Sequence, residues 1–316
     1  MTYQRLMHYP TCFATLSLLA SLAGCSSKSD TPATEPPPVG TLVGSFQAEL
    51  IAAVPSSSTA AFTKFLGVVY DGEYPDAITL KVDSEQGGCK LWVPKVPFCS
   101  TSCGATGVCT DDDECTPYPK AQDLGMVHVT GLGDEEVVME GFSPSFNYQP
   151  AKTLPNPSCS EGAAVTVKTD KLGIEVTGKC IAPFVLTSAD PVPVSSGKGI
   201  PLTWTAPGQS GFTKVHIHLD IAHHGGKKGE INCEVPDTGS FEIPEPLVTK
   251  LVSLGLAGFP TIDVGRASSV SAPTQSRVTL SVISSTMRDV DSGVKSCSDA
   301  ADCVAPATCQ ADLTCK

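Results

Sequence analysis

Two groups of four cysteines constrain this chain more than any other feature in it. Cys99, Cys103, Cys109 and Cys115 are spaced C-x3-C-x5-C-x5-C, and Cys297, Cys303, Cys309 and Cys315 are spaced C-x5-C-x5-C-x5-C. Neither group spans more than 19 residues. A segment that short cannot bury a hydrophobic core, so covalent links must hold it. Zinc is the other use of clustered cysteines, but no histidine lies within either group and the C-x2-C pairs of zinc sites are absent. We read two copies of one small disulfide-stapled device. Of the pairings that four cysteines permit, first-to-third with second-to-fourth is the one we favour. Cys89, Cys159, Cys180 and Cys233 remain and would make two further pairs. Asp111 to Glu114, inside the first group, lacks the spacing of a calcium loop and reads as a solvated acidic turn.

Disulfides on this scale require an oxidising compartment, and the amino terminus supplies the route to one. Arg5 precedes Phe13 to Ala23, an uncharged apolar run of 11 residues. That is the length of a secretory signal rather than of a membrane span. The run ends in Leu22-Ala23-Gly24-Cys25, which resembles the lipobox of bacterial lipoproteins. The resemblance implies diacylglyceryl transfer to the Cys25 sulfur and cleavage before it, with residues 1–24 as signal peptide. Ser26 stands where an aspartate would favour inner-membrane retention, so the resemblance implies an outer-membrane address. Residues 25–40 then form the lipidated cysteine and a disordered tether rich in Ser, Thr and Pro.

The formal charge of −12 becomes −13 once Arg5 leaves with the signal. An acidic chain of this kind lacks the basic footprint of a nucleic-acid binder. Gly and Pro are abundant, at 28 and 26 residues, and helical periodicity is scarce, so the expected fold class is mainly β. We expect β-sandwich, immunoglobulin-like domains with small disulfide-stapled inserts and a stapled tail. Residues 41–180 are expected to form an amino-terminal β domain with a cysteine-rich insert at 89–115. Its strands are read at Leu42 to Leu50, Phe62 to Tyr70, Ile78 to Val82, Val127 to Val129, Val137 to Met139, Val165 to Val167 and Ile174 to Val176.

Residues 181–284 form the second expected domain. Leu202, Trp204 and Ala206 alternate with polar neighbours, as do Val215, Ile217, Leu219 and Ile221, then Ile231, Cys233 and Val235, then Phe241 and Ile243. A tryptophan in one such strand and a cysteine in another resemble an immunoglobulin-type sandwich. Leu247, Val248, Leu251, Val252 and Leu254 behind Pro246 predict one short helix. Val278, Leu280 and Val282 give a last strand, and residues 285–316 are expected to be a polar connector and the four-cysteine tail module.

Three stretches resemble catalytic motifs. His216-Ile217-His218-Leu219-Asp220, followed by His223-His224, is similar to the His-x-His-x-Asp-His metal motif of the metallo-β-lactamase fold, except that Ile221 stands where the last histidine belongs. His216, His218, His223 and His224 are therefore candidate ligands for Zn²⁺ or Cu²⁺. The alternative, which we favour, is a solvent-side row opposite the Val215/Ile217/Leu219 core face. Asp237-Thr238-Gly239 and Asp291-Ser292-Gly293 are similar to the paired motifs of aspartic proteases, but stand only 54 residues apart. Gly208-Gln209-Ser210-Gly211 is one residue short of a nucleophile elbow.

Over most of its length the chain resembles a large group of surface lipoproteins of myxobacteria and related δ-proteobacteria. The residues that carry this are the lipobox, Pro97-Phe98-Cys99 with Cys115-Thr116-Pro117-Tyr118-Pro119, His223 to Gly229, Val235 to Ser240, and the tail cysteines. That resemblance implies location and architecture rather than an activity. The functional expectation is a lipid-anchored cell-envelope protein without enzymatic activity or cofactor, structural or binding in role. Its partners would be the membrane, through Cys25, and an envelope protein or glycan, with no nucleic acid. The alternative is a metal-binding protein or metal-dependent hydrolase using His216, His218, His223 and His224.

Overall fold

The computed structural model describes residues 41–53, 60–75, 79–209, 211–226 and 228–316. The expected signal, Cys25 and the tether lie outside them. In chain order the strands are β1 (Val43–Ile51), β2 (Phe62–Tyr70), β3 (Thr79–Gln86), β4 (Cys89–Lys95), β5 (Gly107–Asp111), β6 (Glu114–Pro117), β7 (Met126–Thr130) and β8 (Val137–Glu140). Next come β9 (Ala164–Thr169), β10 (Glu175–Lys179), β11 (Val192–Pro193), β12 (Ile200–Thr203), β13 (Lys214–Asp220), β14 (Glu230–Pro236) and β15 (Ser240–Ile243). The helix α1 (Glu245–Ser253) precedes the long strands β16 (Thr261–Ser271) and β17 (Val278–Asp291).

Most of these strands alternate apolar and polar residues because each has one face in the core. In β13, Val215, Ile217 and Leu219 are buried while Lys214 and His216 are exposed. Glu245 and Pro246 open α1, and Leu247, Val248 and Leu251 form its buried stripe. The molecule is mainly β, as the composition implies.

One large sheet organises the whole, in the order β2-β1-β17-β16-β13-β14-β4-β3, with β11 beside the end of β17. Neighbours run antiparallel except that β1 and β11 lie parallel to β17. Register places Phe46, Ala48, Leu280, Val282, Val264, Ile217, Cys233 and Cys89 on one continuous inner face. Two hydrophobic cores share that face. Its β2-β1-β17 end packs on a second sheet, β10-β9-β7-β8, through Phe46, Phe65, Val127, Val167 and Val176. Its β13-β14-β4 end packs on the β12-β15 pair and α1, through Ile217, Leu91, Leu202, Ile243 and Leu251. The architecture is a β-sandwich with one shared sheet.

That sharing corrects the expected domain division. β3 and β4, from 41–180, pair onto β14 from 181–284, and β1 pairs with β17, so the boundary at 180/181 is not a break in the sheet. All described residues fall in one compact unit. The insert placed at 89–115 is also shorter than expected, because Cys89–Lys95 is β4, a strand of the large sheet. Residues 285–291, expected as connector, complete β17.

All twelve cysteines among the described residues are paired. The two stapled devices are closed first-to-third and second-to-fourth: Cys99–Cys109 with Cys103–Cys115, and Cys297–Cys309 with Cys303–Cys315. Cys159–Cys180 ties the ends of the β9–β10 hairpin. Cys89–Cys233 joins β4 to β14 within the large sheet. The last pair differs from the inter-sheet disulfide of an immunoglobulin domain, since its two residues sit directly opposite each other on neighbouring strands.

Gly67 of β2 lies opposite Phe46 of β1 and leaves room for its ring. A Cβ at Gly67 would lie 2.5 Å from Cδ1 of Phe46, whose ring is fully buried. Gly67→Ala is therefore expected to lower stability by about 1–3 kcal/mol through overpacking, read as a fall in the urea midpoint with unchanged slope.

Candidate functional site

The outer face of the large sheet is open along its middle strands, and the side chains of the central strand explain its shape. Gly265, Ala267 and Ser269 of β16 point outward between β13 and β17, and they are too small to fill the twist of the sheet. A Cβ at Gly265 would come within 2.5 Å of the Ser285 Cβ. The result is a hollow of about 420 Å³, rimmed by His216, His218, Asn232, Asp263 and Ser281.

The polar groups of this hollow are held on rigid strands. His218 pairs in register with Asn232 on β14 and Asp263 on β16. Asn232 Nδ2 donates to Glu230 Oε1 at 2.7 Å, and Asn232 Oδ1 lies 2.7 Å from His218 Nδ1. With the amide oriented by Glu230, Oδ1 accepts and Nδ1 of His218 donates to it. A row of three hydrogen-bonded side chains thus runs across β13 and β14.

A second hollow of about 530 Å³ meets the first at Asn232 and is lined by Glu73, Tyr74, Trp92, Thr116 and Glu230. Trp92 of β4 is the register partner of Glu230, which places the indole beside the carboxylate. Tyr74 is 55% exposed, and its ring centroid lies 5.7 Å from that of Tyr70 and 5.5 Å from that of Tyr118, both tilted. The stapled insert supplies Tyr118 and Thr116, just after and within β6. No pattern in the sequence marks these aromatics, because a turn, a sheet strand and the end of the insert each contribute one.

The four candidate metal ligands are not gathered together. His216 and His218 lie on the open face, whereas His223 and His224 stand in the turn after β13 with their ring centroids 4.1 Å apart. His223 Nδ1 is 3.8 Å from Asp220 Oδ2. Among the described residues, the sets of three or more His, Cys, Asp or Glu side chains close enough to share an ion are two cysteine triplets. Both belong to the disulfide-bonded devices. Asp237, of the first protease-like motif, meets an arginine rather than a second carboxylate: Arg266 Nε donates to it, with both side chains at most 2% exposed. Asp291, of the second, is exposed at the end of β17 and accepts from Gly293 N at 3.1 Å.

The acidic turn of the insert is structural. Asp112 accepts from Phe98 N at 3.2 Å, and Asp113 from Ser100 N at 2.8 Å and from Ser100 Oγ. The hydrogen bond from Lys95 holds the Asp111 carboxyl below the usual carboxylate range, and those from Ser100 do the same for Asp113.

No protein-family model matches the chain, and no curated protein matches it. A solved structure with some similarity is that of chicken CNTN1 FN1-FN3 domains, 9% identical over 81% of this chain and 99% of that one, with a TM-score of 0.21. A superposition that loose establishes no shared architecture.

Proposed function

We propose that the chain is a lipid-anchored, non-enzymatic protein of the cell envelope that presents the open face of its large sheet to a binding partner. The observation that carries this reading is the face itself: two adjoining hollows on rigid strands, lined by His218, Asn232 and Glu230 with Trp92 and Tyr74 beside them. The side chains that resemble catalytic ones are committed elsewhere. Asp237 is held by Arg266, and the twelve cysteines among the described residues by one another.

Leu22-Ala23-Gly24-Cys25 supports the anchor, and Ser26 supports the outer membrane. No helix among the described residues is long and apolar enough to cross a membrane. Cys25→Ser is expected to abolish incorporation of radiolabelled palmitate and to move the protein from the membrane fraction to the soluble extract, since a multiply acylated cysteine is what retains it. A variant that stays with membranes, or a parent chain that takes no label, would overturn the anchor.

A further inference from the structure

The geometry points to a neutral oligosaccharide as the ligand of this face, with Trp92 and Tyr74 stacking on sugar rings and Glu230, Asn232 and His218 binding their hydroxyls. The inference rests on the reading of the face as a binding surface and names what it binds.

A sugar ring makes two demands on a protein. Its C–H face needs a flat, half-exposed aromatic ring, and its adjacent hydroxyls need paired donors and acceptors in fixed positions. Both are present here. Tyr74 is braced by tilted contacts with Tyr70 and Tyr118 yet stays 55% exposed, so little side-chain freedom is lost when a sugar ring settles on it. Trp92 stands beside Glu230 on the same face of the sheet. Asn232 uses one amide hydrogen on Glu230 and its carbonyl on His218. Its second amide hydrogen, the remaining lone pairs of Glu230 and Nε2 of His218 form a mixed donor and acceptor row that suits hydroxyls, which are themselves both.

Charge narrows the class. Glu73, Glu230 and Asp263 line the two hollows, no lysine does, and the arginine that borders one of them, Arg266, is buried. Glu73 is already paired with Arg277 at 2.9 Å, and Lys90, opposite Asn232 on β4, with Glu85 at 3.6 Å, so a uronic-acid, sulfated or phosphorylated glycan would meet the carboxylates of Glu230 and Asp263 with both neighbouring cations engaged. The hollows join at Asn232 and continue across β13, β16 and β17, so the site extends beyond one sugar unit.

The test uses the full, lipidated chain in a detergent without a sugar headgroup. Chitohexaose, cellohexaose, maltohexaose and xylohexaose are titrated calorimetrically, with hyaluronan hexasaccharide, heparin and choline as contrasts. At least one neutral oligosaccharide is expected to bind, with affinity falling about tenfold or more in Tyr74→Ala and in Trp92→Ala. Trp92→Phe should recover part of the loss, and Lys168→Ala, on the far sheet, should change nothing. Tyr74 lies on an exposed turn, so its replacement tests the site even where a change at Trp92 disturbs folding. No binding of any neutral sugar, preference for the acidic ones or for choline, or affinity unmoved by both aromatic changes would each overturn the inference. Crosslinking to envelope proteins in whole cells separates this from failure of the underlying reading. A crosslinked protein lost in Tyr74→Ala, with no sugar bound, leaves a binding face of another specificity.

Discussion

Replacing Asp237 with alanine is expected to lower the free energy of unfolding by about 3–5 kcal/mol, a fall of roughly 10 °C in melting temperature. The reason is the position of Arg266. It lies on the inner face of β16 where the two cores meet, 1% exposed, with Val264 on one side and the buried hydroxyls of Ser268 and Ser284 nearby. Arg266 Nε donates to Asp237 Oδ2 and Nη2 to Oδ1 at 3.2 Å, while Nη2 also reaches Thr205 O at 2.7 Å and Nη1 reaches Ala182 O at 3.3 Å. Trp204 Nε1 and Thr213 Oγ1 complete the carboxylate's shell at 2.8 and 3.0 Å. Removing the carboxylate alone leaves a guanidinium buried without its counter-charge, which costs more than the intact pair contributes. Asp237→Leu with Arg266→Met is expected to recover much of the loss. Recovery should stop short of complete, because the Trp204 N–H would then lack an acceptor.

The same pair sets a pH dependence. Burial alone would raise the Asp237 pKa, but the hydrogen bonds from Arg266 and Trp204, the Arg266 charge and the Thr213 hydroxyl outweigh it and hold it below the ordinary carboxylate value. A carboxylate depressed in the folded state contributes stability above its unfolded pKa of about 3.9, and that stability is lost as pH falls through the lower folded value. Asp237→Asn removes this contribution. Urea midpoints measured from about pH 7 down to about pH 3 should therefore fall more steeply for the parent than for the variant below about pH 4. Parallel curves would refute the coupling.

Arg266 also shows where sequence reading stopped. β16 is a central strand, yet it reads Thr-Ile-Asp-Val-Gly-Arg-Ala-Ser-Ser-Val-Ser, with an arginine on the buried face and small residues on the open one. No alternation survives such a pattern. The end of β17 was missed for the same reason, because Ser284 and Ser285 sit at the polar seam and on the open face. β2, the β13–β14 hairpin and α1 were legible because each has an ordinary apolar side against a core. β3 is the intermediate case. Its alternation marked a strand, but it lies at the sheet edge, where Val82 is 41% exposed beside a register shift. Of the candidate site, the alternation of β13 accounts for His216 and His218 on the outward face, whereas tertiary pairing alone brings Tyr74 and Trp92 to Glu230.

Removing the Cys89–Cys233 bond with paired valine substitutions is expected to be the costliest change to any disulfide, at about 5 kcal/mol in the chain-entropy account, because the bond spans 144 residues. The links in the two stapled devices span 10 to 12 residues, and the same account gives each about 3 kcal/mol. The effects should also differ in kind. Cys89 and Cys233 are nearly buried in the core beneath the open face, and their bond pins β4, with β3 beyond it, to β14. Its loss should release β3 and β4 first, seen as faster amide exchange there before global unfolding. Loss of Cys297–Cys309 should instead loosen the tail, which meets the sandwich through the Gly258 N–H bond to Asp312 O, and leave exchange in the large sheet unchanged. If both variants melt together with equal loss, the long loop confers no special stability. If the order holds, the bond that stabilises the molecule most is also the one that keeps Trp92 beside Glu230. Formation of that disulfide then sets the geometry of the open face as well as the survival of the fold.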